Sequence, residues 1–152
     1  MPFQREITKE LLARDGFCVL AEGLGASAVI AALVAVDDAL SKTHVLGEPP
    51  MVTLIVGASE HAKVSVKERM TALFPRAAPP LEFTADYAGD KRKKFYDAGC
   101  VAFVTTRIAS VDLLSGRLDA KRVRGIIVCS AHRTNETSGE GFVVRLFRAV
   151  SY

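Results

Sequence analysis

Residues 125–133 read GIIVCSAHR: an unbroken apolar run, Ile126-Ile127-Val128, that gives way to Cys129-Ser130 and closes on Ala131-His132-Arg133. A strand reads this way when both faces of its sheet are covered, since neither side has to alternate toward water. FCVLA (17–21), MVTLIVG (51–57) and CVAFVTT (100–106) share the pattern, and LEFT (81–84) is a shorter candidate. Helical patterns lie between and before them. Phe3, Ile7 and Leu11 recur every four residues and predict an amphipathic helix over 3–14 that stops before Gly16. Further helices are expected at 27–40, from a Ser59 cap to Phe74-Pro75, at 88–98, after Thr106, and at 139–149. GEPP (47–50) breaks the chain before MVTLIVG. Strands alternating with helices at this spacing predict a parallel sheet with helices on both faces. The expected fold is therefore a doubly wound, mostly parallel α/β domain with five strands, occupying residues 1–152.

Composition agrees with one domain. The chain has 152 residues, 49% of them hydrophobic and 24% charged, enough to bury a core without disulfides or metal. The opening MPFQREITKELLARDG is charged and helical rather than a secretory signal. The apolar stretch Ala26–Ala35 ends at Asp37-Asp38 and is too short to span a bilayer, so no membrane is expected. Cys18, Cys100 and Cys129 all fall in apolar, strand-like runs and read as buried, reduced thiols. His44 and His61 have no Cys or carboxylate partner at ligand spacing, so no metal is expected. The net charge of +3 is uneven: residues 1–60 carry 4 basic and 8 acidic side chains, residues 61–152 carry 16 and 9. A basic second half favours a polyanionic partner.

The turn after the first expected strand is where an open α/β sheet places phosphate: glycines let the backbone approach and the helix start offers free N–H groups. Nucleotide-hydrolysing helicases carry Gly-Leu-Gly-Lys-Thr there. This chain has Gly23-Leu24-Gly25-Ala26-Ser27, with alanine in place of the lysine and Glu22 adding a negative charge. Loss of one charge-assisted phosphate contact costs about 1.5–3 kcal/mol. The second defect is at the end of GIIVCSAHR. A nucleic-acid motor carries Asp-Glu-Ala-His in this context, and here Cys129 and Ser130 stand in the acid positions. Magnesium prefers carboxylate oxygens, and neither a thiol nor a serine hydroxyl replaces them. Gly23, Gly25, Ala26, Ser27, Cys129, Ser130 and His132 thus describe a degenerate ATP site with no cofactor, both halves of which have failed.

The stretch VTTRIASVDLLSGRLDAKRVRGIIVCSAHRTNETSGEGFVVRLFR (104–148) resembles the amino-terminal helicase-like part of the XPF family of structure-specific DNA repair endonucleases. The carrying pieces are Thr105 to Ile108, Val111 to Arg117, GIIV followed by AHR, and Arg145 to Arg148. DGFCVLAEGLGAS (15–27) and LEFTADYAGDKRKKFYDAG (81–99) extend it, while residues 42–80 match only in pattern. The resemblance implies the first RecA-like half of a superfamily 2 helicase-like module whose ATP site has decayed. It also implies nucleotide excision repair in the nucleus, with branched or single-to-double-strand junction DNA, the parent protein's other domains and repair scaffold proteins as partners. The family's nuclease and helix-hairpin-helix domains are not found in these residues, so the chain reads as a fragment and no nuclease residue is carried over. In place of catalysis, it implies a scaffold that binds the DNA backbone and docks proteins.

In such modules, loops at the carboxyl ends of strands grip nucleic acid, which places Thr105, Thr106 and Arg107 as backbone contacts. Hydroxyls, a guanidinium and a helix start hold phosphate without reading sequence, although the two threonines serve equally as helix caps. Lys91, Arg92, Lys93 and Lys94 add a basic run on the preceding helix. Lys121, Arg122 and Arg124 precede the GIIV strand and belong to the opposite edge of the sheet; Arg145 and Arg148 are candidates for contacts with other domains. His132, without its acids, is expected to hold its loop by hydrogen bonds. Two enzymatic alternatives remain at this stage: an atypical nucleotide-binding domain or nucleotidase built on Ser27, and a Cys129 nucleophile with His132 as its base.

Overall fold

Four of the five apolar runs meet as parallel neighbours in a computed structural model that describes residues 2–21, 23–42 and 49–151. They are β1 (Val52–Val56), β2 (Leu81–Phe83), β3 (Cys100–Val104) and β4 (Val123–Val128), in the order β2-β3-β1-β4. Each pair is parallel, with Leu54 opposite Ala102 on one side and Ile126 on the other. The six α-helices are α1 (Pro2–Ala13), α2 (Ala26–Lys42), α3 (Glu60–Leu73), α4 (Gly89–Ala98), α5 (Thr106–Leu114) and α6 (Gly139–Ser151). Among the described residues no helix is long and apolar enough to cross a membrane.

Side chains alternate along each strand, so the sheet builds two cores. Ile55 and Phe103 pack with Ala31 and Val34 of α2 and with Val66 and Met70 of α3. Leu54, Val56, Ala102 and Val104 point the other way, onto Tyr96 of α4, Ile108 and Leu113 of α5, and Val143 of α6. All five residues of β1 are buried, which explains why its sequence shows no polar alternation. The doubly wound α/β expectation is borne out.

The strand count is not. FCVLA (17–21) forms no strand; residues 15–21 adopt no regular element, and Phe17 and Val19 are exposed at 66% and 79%. A strand exists only through a neighbour that takes up its N–H and C=O groups, and no described strand pairs with this segment. Cys18 is exposed in consequence, against the buried thiol expected of it, whereas Cys100 and Cys129 are partly buried. Burial pushes the Cys100 thiol up to about 12, with Asp37 adding to it, and pushes that of Cys129 up to about 11. Glu22, His44 and the Gly47-Glu48 half of the GEPP break lie outside the described residues.

One polar cluster ties α4 to α5. Asp112, with no exposure at all, accepts from Arg92 Nε (2.7 Å) and Nη2 (2.9 Å), from the Tyr96 hydroxyl (2.9 Å) and from Arg117 Nη1 (3.0 Å). Burial drives the Asp112 carboxyl up, but the hydrogen bonds from Arg92, Arg117 and Tyr96 more than offset it, and the net shift is downward.

Candidate nucleic-acid interface

β1 and β3 lie side by side, yet the chain leaves them in opposite directions: β1 runs on to α3 on one face, β3 to α5 on the other. Loops that part in this way open a crevice at the carboxyl ends of the strands, the position where open α/β sheets bind ligands. A cavity of about 400 Å³ lies there. Ile55, Phe83 and Phe103 lie behind it with their side chains buried in the two cores, and its polar lining includes Glu60, Lys63, Glu82, Thr84, Thr105, Thr106 and Glu140. Lys63 is held by Glu60 at 2.6 Å and faces Glu82 at 3.8 Å, and Glu82 also pairs with Lys67. The Lys67 ammonium, ahead of the opposing effect of burial, holds the Glu82 carboxyl below its usual range. The Glu140 carboxylate makes no hydrogen bond or ion pair with the described residues.

The start of α6 is seated on this edge by glycines. A Cβ on Gly139 would stand 2.7 Å from Thr106 Oγ1, and one on Gly141 would collide with the Asn135 carbonyl oxygen. Gly57, at φ +71°, would bring a Cβ within 2.8 Å of the Cys129 carbonyl oxygen and 3.3 Å of Glu140 Oε1. Only glycine accepts that backbone without strain while leaving the space that Glu140 crosses. Gly57, Gly139 and Glu140 were not among the residues expected to form a site; the signal was the GEG triplet (139–141) at a helix start.

Thr105 and Thr106 line the crevice and Arg107 follows them in the first turn of α5, each in different circumstances. Thr105 caps α5, accepting from the Ile108 N–H at 3.2 Å. Thr106 is covered by Gly139. Arg107 is exposed and without a described partner. The basic run of α4 divides in the same way. Arg92 is turned inward to Asp112 and is withdrawn from any phosphate, and Lys93 pairs with Asp97 at 2.7 Å. Lys91 and Lys94 remain exposed without a described partner. Arg133, beyond β4, is a further exposed cation on this edge.

Arg122 and Arg124 are at the opposite edge, as the sequence placed them, and both are engaged. Arg122 Nη2 donates to the carbonyls of Tyr96 (3.0 Å) and Asp97 (2.8 Å), satisfying the end of α4, and Arg124 pairs with the buried Asp37 at 2.6 Å. Arg145 donates to the Glu136 carbonyl at 2.6 Å, and Arg148 faces Asp15 at 3.7 Å. His132 is exposed and its ring makes no hydrogen bond to the described residues, against the expectation that it holds its loop. The loop is held instead by Asn135, whose Oδ1 accepts from Thr137 N–H at 2.9 Å, and by Ser138, whose Oγ accepts from Asn135 N–H at 3.0 Å.

The glycine turn differs from an open phosphate cradle. Gln4 of α1 lies over it: its Nε2 donates to the Leu24 carbonyl at 3.0 Å, and a Cβ on Gly25 would overlap that same atom. Gly23 and Gly25 both take positive φ, 82° and 80°. On the other side, Cys129 continues the sheet by donating its N–H to the Val56 carbonyl at 2.9 Å, and Ser130 turns the chain at φ 57°. Among the described residues no group of His, Cys, Asp or Glu is arranged to hold a metal ion.

A parallel sheet sandwiched by helices, with a crevice at its carboxyl edge, is the RecA-like form of helicase domains. The crystal structure of the Pyrococcus furiosus Hef helicase domain superposes on 98% of the chain with a TM-score of 0.74 at 20% identity, using 30% of that structure. No family model matches the sequence. The chain is 30% identical over 155 residues to the DNA repair endonuclease UVH1 of Arabidopsis thaliana, and 30% over 148 residues to the DNA repair endonuclease XPF of Mus musculus. The DNA repair protein RAD1 of Saccharomyces cerevisiae is 26% identical over 178 residues. These alignments take in 97% or more of this chain but only 15% of each relative. The resemblance read from RLFR and its companions is borne out: the chain is a relative of the XPF-type DNA repair endonucleases.

Proposed function

We propose that the chain is a non-catalytic helicase-like module that grips the DNA backbone and docks partner proteins for a nuclear repair endonuclease, without hydrolysing ATP. One observation carries the reading: the glycine turn is covered by Gln4, while cations without a partner among the described residues stand at the carboxyl edge of the sheet. A side-chain amide occupies the neighbourhood a phosphate would need, and Ala26 stands where a lysine would meet it. Arg107 and Lys91 lie in the first turns of α5 and α4 and Lys94 in the second turn of α4, and the two helices are tied together by the Arg92–Asp112 pair. Such cations address phosphates and carry no sequence information. Thr105 and Thr106 support the contact by fixing the start of α5 beneath Arg107.

Fluorescence anisotropy with forked and single-stranded DNA at low salt tests the grip. Micromolar binding that is indifferent to sequence and weakened by Arg107→Ala is expected, and no binding at high micromolar protein removes the DNA part of the proposal. Calorimetry with Mg-ATP tests the rest. Heat of binding in the low micromolar range, lost in Ser27→Ala, would restore the nucleotidase reading.

A further inference from the structure

Arg117 is the one member of the Asp112 cluster that reaches the surface. A single carboxylate there faces two guanidiniums, so the cluster keeps one positive charge in surplus. Arg92 does not carry that charge outward: its side chain is 9% exposed, its Nε and Nη2 both donate to Asp112, and its Nη1 donates to the Tyr87 carbonyl. The Arg117 side chain is 33% exposed. It engages Asp112 through Nη1 alone, at 3.0 Å, and its Nε and Nη2 donate to nothing among the described residues. The same guanidinium lies against the start of α4, where a Cβ on Gly89 would stand 2.8 Å from its Nε and 2.9 Å from its Cζ. Gly89 leaves the space that the guanidinium fills, and Lys91, in the same turn, is exposed with no described partner. Asp86 and Asp90 are the acids nearby in the chain, and neither pairs with Arg117.

We infer that Arg117 binds one backbone phosphate of the DNA beside Gly89 and Lys91, with Asp112 as the positioning residue that holds its guanidinium ready. The inference rests on the DNA-binding reading above and adds a contact that neither the TTR stretch nor the KRKK run contains. Nε and Nη2 form one edge of the guanidinium, and two parallel N–H donors on one edge match two oxygens of a phosphate. The other edge is spent on Asp112. A side chain already fixed by a buried carboxylate loses little further freedom when it binds, which favours the contact over one from a mobile surface cation. Because α4 starts just beyond the carboxyl end of β2, the phosphate lies on the same edge of the sheet as Arg107.

The test is anisotropy with single-stranded DNA at low salt, read beside urea denaturation of each variant. Arg117→Ala leaves the Arg92–Asp112 pair in place and is expected to weaken binding about tenfold. Gly89→Ala keeps every charge and gives α4 a better helix former, yet its Cβ displaces the guanidinium. It is expected to weaken binding severalfold with no loss of stability, a result that a purely structural Arg117 would not produce. Arg117→Lys retains the charge without the paired donors and is expected to recover only part of the loss. In protein with isotope-labelled arginine, the NMR signal of the Arg117 Nε–H group is expected to shift when the same DNA is added, a readout that needs no variant. Unchanged affinity in Arg117→Ala and Gly89→Ala, with that signal unmoved, overturns the phosphate contact and leaves the rest of the DNA interface standing. Weaker binding in Arg117→Ala that is matched by a loss of stability, while Gly89→Ala binds normally, assigns Arg117 to the fold alone and also overturns it. A signal that responds to inorganic phosphate and not to DNA does the same. Absence of DNA binding by the unmodified protein removes the DNA-binding reading, and this inference with it.

Discussion

At Asp112 four side chains meet almost without water, and the cluster shows how one residue's role depends on its partners. The carboxylate is fully buried and its charge is tolerated only because Arg92, Arg117 and Tyr96 all donate to it. Asp112→Ala leaves the Arg92 guanidinium buried without its counter-charge, and urea denaturation is expected to show a loss of about 3–5 kcal/mol. A paired Arg92→Met, Asp112→Leu variant removes both charges and is expected to recover most of that loss. The pH dependence has a definite sign. Asp112 titrates lower in the folded chain than its ordinary value, so it stabilises the fold above about pH 4. That contribution disappears as pH falls through the lowered folded value. The acid limb of stability should therefore flatten in the double variant. In the sequence, Arg92 passed for one of four equivalent cations in KRKK. Its spacing of four from Tyr96 was the available sign that both face inward, but nothing local indicated that Asp112, twenty residues on, would be waiting.

Elements proved more legible than residues, because periodicity is a property of a segment and does not require knowing its neighbours. The Ser59 cap on α3 and the Thr105 cap on α5 were readable, and so was the stop at Phe74-Pro75. FCVLA failed for the complementary reason: it has the composition of a covered strand, but pairing depends on a second segment that local pattern does not reveal. Its exposure has a direct consequence for thiol chemistry. At pH 7.5 one equivalent of maleimide is expected to react rapidly, at Cys18, while Cys100 and Cys129 react far more slowly until the chain is denatured, their thiols being partly buried and raised to about 12 and 11. Peptide mapping identifies the labelled residue. Protection of Cys18 would mean that residues 17–21 do find a strand partner, and rapid labelling of Cys129 would revive the nucleophile reading. The crevice escaped the sequence for a topological reason, since a switch point exists only once strand order is known, and the order β2-β3-β1-β4 cannot be read from periodicity.

Over the whole molecule, the cations of the basic second part divide between the two ends of one sheet. The second half's cations do not act together. Arg122 and Arg124 are spent on carbonyls and on Asp37 at the amino edge, while Lys91 and Lys94 on α4, Arg107 on α5 and Arg133 in the turn after β4 have no partner among the described residues. Net charge is therefore a poor guide to binding here, and the count of free cations on one edge is a better one. If those four each displace a counterion from single-stranded DNA, the logarithm of the binding constant should fall against the logarithm of salt with a slope of about −3. Arg107→Ala is expected to make the slope shallower by roughly 0.7, and binding weaker, on every sequence tested. Lys121→Ala supplies the contrast, since Lys121 is exposed at the amino edge, just before β4 begins. It should leave the slope unchanged. An equal effect of the two substitutions would show DNA held by diffuse charge over the whole surface, and the carboxyl edge would lose its claim to be the interface.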